Sequence, residues 1–189
     1  MSLGDGGCGR FTHVTPVHAT MSAVEITTAP ITLHPFTVAD AERLLAGDVD
    51  PFDGWEGGYS FTDEPELLAD YVGTARRNGD PAPFGPYLVR RAAAPDGADG
   101  AAIGGVNLFG PPDQRGAVEF GFALVPAARG EGLSSHVVAE ALRLIASTGA
   151  TIARAECEIA NLPARRVLER AGLVEVARAT DSVTLEIRL

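Results

Sequence analysis

The sequence predicts an α/β protein: one central, twisted mixed sheet with helices on both faces. Three observations carry this prediction. The 189 residues are 46% hydrophobic and 21% charged, which suits one globular domain with a sizeable core. Apolar runs with strand and helix periodicity alternate in the order β-α-α-β-β-β-α-β-α-β-β, with no internal repeat. A strand-like run, Ala117–Val125, exits at a proline into a glycine turn and then a helix.

Residues 1–22 show no hydrophobic period and are rich in Gly, Thr and Ser, so they read as a flexible leader, with Met21 a candidate start. Residues 23–189 read as a single domain, its fold beginning near Val24. Ile31-Thr32-Leu33-His34 alternates as a first strand. Thr37 and Asp40 resemble a capping box for a helix that runs through Leu44 and Leu45 and stops at Gly47. A loop rich in Gly, Asp and aromatics spans Asp50 to Tyr59. Asp63 and Glu66 supply a second cap, Pro65 suits a first turn, and Leu67, Leu68, Tyr71, Val72 and Ala75 form an apolar stripe up to Gly79. Strands follow at Tyr87–Ala92 and Ala102–Phe109, joined by the turn-rich Ala94–Gly100, and a turn at Pro111-Pro112-Asp113 leads into Ala117–Val125. A helix over Glu131–Ser147, a strand over Thr151–Ile159, a short helix from about Pro163 to Ala171 ended by Gly172, and a hairpin of Val174–Val176 with Val183–Ile187 complete the chain.

The bulk charge narrows the function. A formal net charge of −10 with scattered basic residues argues against a nucleic-acid backbone as partner. No apolar run approaches the roughly 18–20 residues needed to span a bilayer, and no signal-peptide pattern opens the chain, so the expectation is a cytoplasmic protein. Cys8 sits in the leader and Cys157 in a strand, a placement that suggests neither disulfides nor a metal site. An acidic exterior suits a cationic substrate such as an amine and equally suits ordinary solubility.

The turn Arg129-Gly130-Glu131-Gly132 is the strongest functional signal. A glycine turn before a helix points orphan N–H groups outward, and the helix dipole favours an anion there. Ser134 and Ser135 add hydroxyls and Arg129 adds a cation. The run lacks a P-loop ending and a dinucleotide fingerprint, so neither an NTP nor a dinucleotide is the first choice. Tight packing of helix on strand explains the glycines equally well when the turn is taken alone.

Two segments carry a family resemblance: VEFGFALVPAARGEGLSSHVVAEALRLI and AECEIANLPARRVLERAGL. In this order and spacing they resemble the GNAT superfamily of acetyl-CoA-dependent N-acetyltransferases, in particular its RimJ/RimL-like (ribosomal-protein-alanine acetyltransferase) branch. The resemblance covers about Ile31 to Leu189, and WEGGYSFTDEP and PFGPYLVRR extend it upstream. It implies the acyl-CoA N-acyltransferase fold, with a strand that splays from the next parallel strand. It further implies that Arg129, Gly130, Glu131, Gly132, Leu133, Ser134 and Ser135 cradle the CoA pyrophosphate. Backbone groups of Ala123, Leu124 and Val125 would bond the pantetheine arm, and one N–H there would polarise the acetyl carbonyl. Asn161 would contact the pantetheine or acetyl end, although an Asn there also reads as a plain helix N-cap. The partners implied are acetyl-CoA and an amine, with no metal and room for a homodimer.

This chain departs from the family at three positions. Ala127 stands where a Gln or Arg precedes the turn, Leu168 where a Tyr often serves as general acid, and Ala164 where the branch often carries Ser. Glu119 is the leading candidate for the base that takes a proton from the amine. Strand alternation sets it opposite Val118 and Phe120, where a carboxylate is costly unless paired or functional. A salt-bridged structural Glu is the competing reading. His34 and His136 are weaker catalytic candidates, and Asn107 and the Trp55–Tyr59 loop are candidate walls of the acceptor pocket. The reading is direct acetyl transfer to a primary amine: a protein N-terminus, an amino sugar or antibiotic, or a small amine such as a polyamine-like metabolite. A CoA-binding module with weak catalysis is the alternative, and an unrelated nucleotide-binding protein the third.

Overall fold

The computed structural model describes residues 26–28, 30–48, 65–93 and 100–189. The expected leader, the Trp55–Tyr59 loop, the Asp63 cap and most of the Ala94–Gly100 turn lie outside the described residues. The first strand is one the sequence did not signal: β1 (Ile26–Thr28), three residues long, pairs antiparallel with β2 (Ile31–Pro35). Three residues are too few for alternation to register.

After β2, the Thr37 capping box forms as expected. Its hydroxyl accepts from the Asp40 N–H at 3.1 Å, and the Asp40 carboxylate accepts from the Thr37 N–H at 2.9 Å. It starts α1 (Val38–Leu45). Helix α2 (Pro65–Asn78) ends where Gly79 adopts a positive φ of 89°. Then come β3 (Gly85–Arg91), β4 (Ala102–Phe109) and β5 (Ala117–Leu124), a single 3-10 turn at Pro126–Ala128, and α3 (Leu133–Ser147). The chain closes with β6 (Ile152–Glu158), α4 (Leu162–Arg170), β7 (Val174–Arg178) and β8 (Ser182–Arg188).

Among the described residues, eight strands form one sheet in the order β1-β2-β3-β4-β5-β6-β8-β7. Every neighbouring pair is antiparallel except β5 with β6. Parallel neighbours need a long crossover, and α3 supplies it. On one face α3 buries Val137, Val138, Ala141 and Ile145 against Leu33, Val106, Phe120 and Ala153, with Leu168 of α4 in the same core. On the other face α1 and α2 bury Ala41, Leu44, Leu68 and Val72 with Leu88 of β3. Alternation along β3 makes this possible, since Tyr87 and Val89 join the first core and Leu88 the second. Each fully buried aliphatic side chain contributes about 1.5–3 kcal/mol. That burial holds α3 in place although its first turn has no side-chain cap.

Candidate active site

The site is built where the one parallel pair comes apart. Strands β5 and β6 pair at Ala117↔Ile152, Val118↔Ala153 and Glu119↔Arg154, and their register ends there. Both strands continue, β5 to Leu124 and β6 to Glu158, while β5 stays paired with β4 as far as Leu124. Among the described residues, the far edge of β5 beyond Glu119 therefore has no strand beside it. The Val125 N–H turns towards β4, donating to Ile103 O at 2.9 Å. Alternation then directs the N–H and C=O of Leu124 and Phe122 to the open edge. A cavity of about 520 Å³ occupies the gap.

The turn at the end of β5 lies beyond Pro126, which starts the 3-10 segment. Gly130 and Gly132 have φ of 85° and 80°, and a Cβ added to either would meet no atom within 4 Å. The glycines are required for backbone conformation rather than for space. Because Gly132 is a left-handed N-cap, α3 begins at Leu133 and not at Glu131, as the apolar pattern had suggested. Among the described residues, the N–H groups of Gly130, Gly132, Leu133 and Ser134 have no hydrogen-bond acceptor. The Ser135 N–H donates to Gly132 O at 3.1 Å. No acidic side chain occupies the first turn of α3, so nothing there opposes an anion at the positive end of the dipole. The Glu131 carboxylate is held by Arg91 at 2.9 and 3.0 Å, which ties the turn to the end of β3. Arg129 folds back: its Nε donates to Leu124 O at 2.9 Å, one of the groups on the open edge. Open strand edge, cavity and uncapped turn together suit an extended ligand with an anionic end.

Glu119 lines the cavity, half-buried, at the last paired position of β5. Its side chain makes no hydrogen bond or ion pair among the described residues. Its register partner Arg154 is drawn away, with Nε 2.8 Å from Glu186 and a terminal nitrogen 3.3 Å from Asp113. The salt-bridged reading of Glu119 therefore does not hold. Two backbone N–H bonds, from Ala117 and then Arg115, together with Arg154, keep the Asp113 carboxyl below its ordinary value.

Asn161 is the N-cap of α4, its side chain accepting from the Ala164 N–H at 3.2 Å, and it also lines the cavity. Leu168 and Ala164 face the same cavity, so the two positions that lack a proton donor do border the site. Cys157 borders it too, and burial pushes its thiol up despite the nearby Arg165. It is a poor nucleophile in that state. Asn107 of β4 lines the cavity as expected, whereas Glu156 and Glu158 were not foreseen. The alternation Arg154, Glu156, Glu158, which puts two acids on one face of β6, was the signal available. His136 is exposed on α3 and His34 lines a separate space of about 170 Å³ with Asp40, Arg43 and Arg90, so neither borders the site.

The family model described as the acetyltransferase (GNAT) domain matches residues 31–174. The chain belongs to the GNAT acetyltransferase family. Members transfer an acetyl group from acetyl-CoA, and the open mixed sheet described above is the GNAT fold. No curated protein matches the chain. Among solved structures, the GNAT chain is similar to Mycobacterium smegmatis RimJ in complex with CoA-disulfide, at 18% identity and a TM-score of 0.56, over 84% of this chain and 81% of that one. It is similar to the ribosomal-protein-S5-alanine acetyltransferase of Vibrio fischeri, at 14% identity and 0.58, over 87% and 96%. A dodecameric spermidine N-acetyltransferase from Vibrio cholerae matches at 17% and 0.57, over 85% and 95%. At these identities the likeness concerns the fold.

Proposed function

We propose that this GNAT acetyltransferase moves an acetyl group directly from acetyl-CoA to a primary amine, with Glu119 as the general base. The single observation that carries the reading is an unpartnered carboxylate at the fork of β5 and β6, beside an open strand edge that ends in an uncapped glycine turn. The N–H groups of Gly130, Gly132, Leu133 and Ser134 hold the pyrophosphate. The open-edge backbone of Leu124 and Phe122 holds the pantetheine arm and the acetyl carbonyl. When bound, acetyl-CoA supplies an acetyl thioester: the amine nitrogen bonds to its carbonyl carbon, the C–S bond breaks, and one proton is released per acetyl transferred.

Glu119 accepts a proton from the ammonium and leaves the nitrogen lone pair free to react. A second proton passes from that nitrogen to the departing sulfur through water, since Leu168 and Ala164 offer none. The raised Cys157 thiol favours this direct route over an acetyl-cysteine relay. Thiol release measured over a panel of amines tests the activity, and intersecting initial-velocity patterns with a Cys157→Ala variant of undiminished rate test direct transfer. Parallel patterns and a dead Cys157→Ala variant would overturn it. The two missing donors also motivate the second reading, a CoA-binding module. Tight acetyl-CoA binding with no thiol release across the panel is the outcome that would establish that reading.

A further inference from the structure

The acceptor side of the cleft holds more negative charge than a base requires. Besides Glu119, the cavity is bordered by Glu156 and Glu158, and among the described residues no Arg or His borders it. The register Glu119↔Arg154 sets residue 154 on the same face as Glu119, and strand alternation carries Glu156 and Glu158 onto that face. The two lie about 7 Å apart along β6. Among the described residues none of the three carboxylates makes a side-chain hydrogen bond or ion pair. The arginines close by are engaged elsewhere: Arg154 with Glu186 and Asp113, and Arg165 with Glu169 and Glu175.

A second observation is independent of the charge. Asn107 is 9% exposed and borders the same cavity, and among the described residues its side chain makes no hydrogen bond. A buried amide without partners costs about 1–3 kcal/mol, so such groups are normally satisfied by something. Asn107 stands across the β4–β5 ladder from Gly121, and Glu119 lies two residues from Gly121 on the same face. Gly121 carries no side chain to separate them, and the amide and carboxylate look into one space.

We propose that the acceptor is a small linear diamine or polyamine, bound through two nitrogens. The reacting nitrogen sits between Asn107 and Glu119, and a second ammonium sits between Glu156 and Glu158. Glu156 and Glu158 are exposed and Glu119 is half-buried, and all three line one opening. A dication meets carboxylates at both of its ends, and a monocation meets them at one end only. The inference rests on the proposed amine acetylation, and its test separates the two.

The test compares three acceptors of equal length: a linear diamine, the amino alcohol and the amino acid. Binding of each to the CoA-loaded protein is read by calorimetry, and turnover by thiol release. The diamine is expected to bind at least tenfold tighter than the amino alcohol, with the amino acid weakest and the advantage shrinking in high salt. The double variant Glu156→Gln/Glu158→Gln should compress the diamine-to-alcohol ratio to about twofold. Equal binding of the three, or a ratio unchanged in the double variant, overturns the proposal. So does a preference confined to peptides with a basic second residue. A protein that shows the diamine preference in binding but never releases thiol loses the enzymatic reading and keeps the dication site.

Discussion

The sharpest consequence of the site concerns Glu119→Gln. An alkyl amine with a pKa near that of lysine, about 10.4, is neutral in only about one molecule in 2,500 at pH 7. A positioned base that takes its proton is worth about 10²–10⁴ in rate, or about 3–5 kcal/mol of barrier. Glutamine keeps the shape of Glu119 and cannot accept the proton. The side chain has no ion pair to lose, so unfolding stability should change by no more than about 0.5 kcal/mol. Acetyl-CoA affinity, which rests on the turn and the open edge, should stay within about twofold. The expected result is a kcat/KM reduced by about a hundredfold or more at neutral pH. In the variant it should rise about tenfold per pH unit towards the amine pKa, because solvent then does what the carboxylate did. Thiol release from pH 6 to 10 reads kcat/KM and its pH slope, calorimetric binding reads acetyl-CoA affinity, and urea denaturation reads the stability. A variant that keeps more than about a third of the wild-type kcat/KM, with an unchanged pH profile, would refute the role of Glu119.

Other perturbations probe the frame around the site. Glu186, 8% exposed, receives Arg154 at 2.8 Å and Arg115 at 3.1 Å. Glu186→Gln should lower the urea midpoint by the equivalent of about 1–3 kcal/mol with the m-value unchanged. Tyr87 is buried and donates to Pro83 O at 2.7 Å, and burial pushes its hydroxyl up from 10.0 to about 12. Its folded pKa lies above the unfolded one, so its stabilisation is full below pH 10 and is lost as pH rises towards 12, roughly 2–3 kcal/mol in all. Tyr87→Phe should cost about 1 kcal/mol at neutral pH and flatten that alkaline slope, leaving the smaller share from Tyr71, whose hydroxyl burial also raises; denaturation midpoints across the range check it. Arg129→Ala frees Leu124 O and removes a cation from the turn. Pantetheine should then bind no weaker, while adenosine bisphosphate should bind about fivefold more weakly. Ala164→Ser places a hydroxyl at the cavity wall without overfilling the core, and should raise kcat several-fold if protonation of the thiolate limits the rate.

What could be read in the sequence follows the range of the signals involved. The Thr37–Asp40 capping box lies within four residues and formed as read. The Ala102–Phe109 strand matched to the residue. The helix after the turn began two residues later than its apolar pattern, because Gly132 adopts a left-handed conformation that composition does not reveal. The pairing of Arg154 with Glu186 joins two strands 32 residues apart in sequence. That contact leaves Glu119 without a partner, and no local pattern could show it. Glu156 and Glu158 were visible as an alternation, but their meaning depends on where the β5–β6 ladder stops.

The end of that ladder explains both the capacities and the omissions of the site. On its other side β5 stays bonded to β4 as far as Leu124. The parallel partner stays in register for three residues and then departs with β8, to which β6 is paired from Ile152 to Glu158. The fork therefore exposes backbone groups on β5 and turns the acidic face of β6 towards the same opening. Glu119, the last paired residue, sits where the two meet. Leu168 lies under this fork at 1% exposure and belongs to the main core, closing the far wall of the cavity. A tyrosine there would have to enlarge a packed position, at a typical cost of about 1–3 kcal/mol. Packing and proton donation thus compete for one position, and in this chain packing has it.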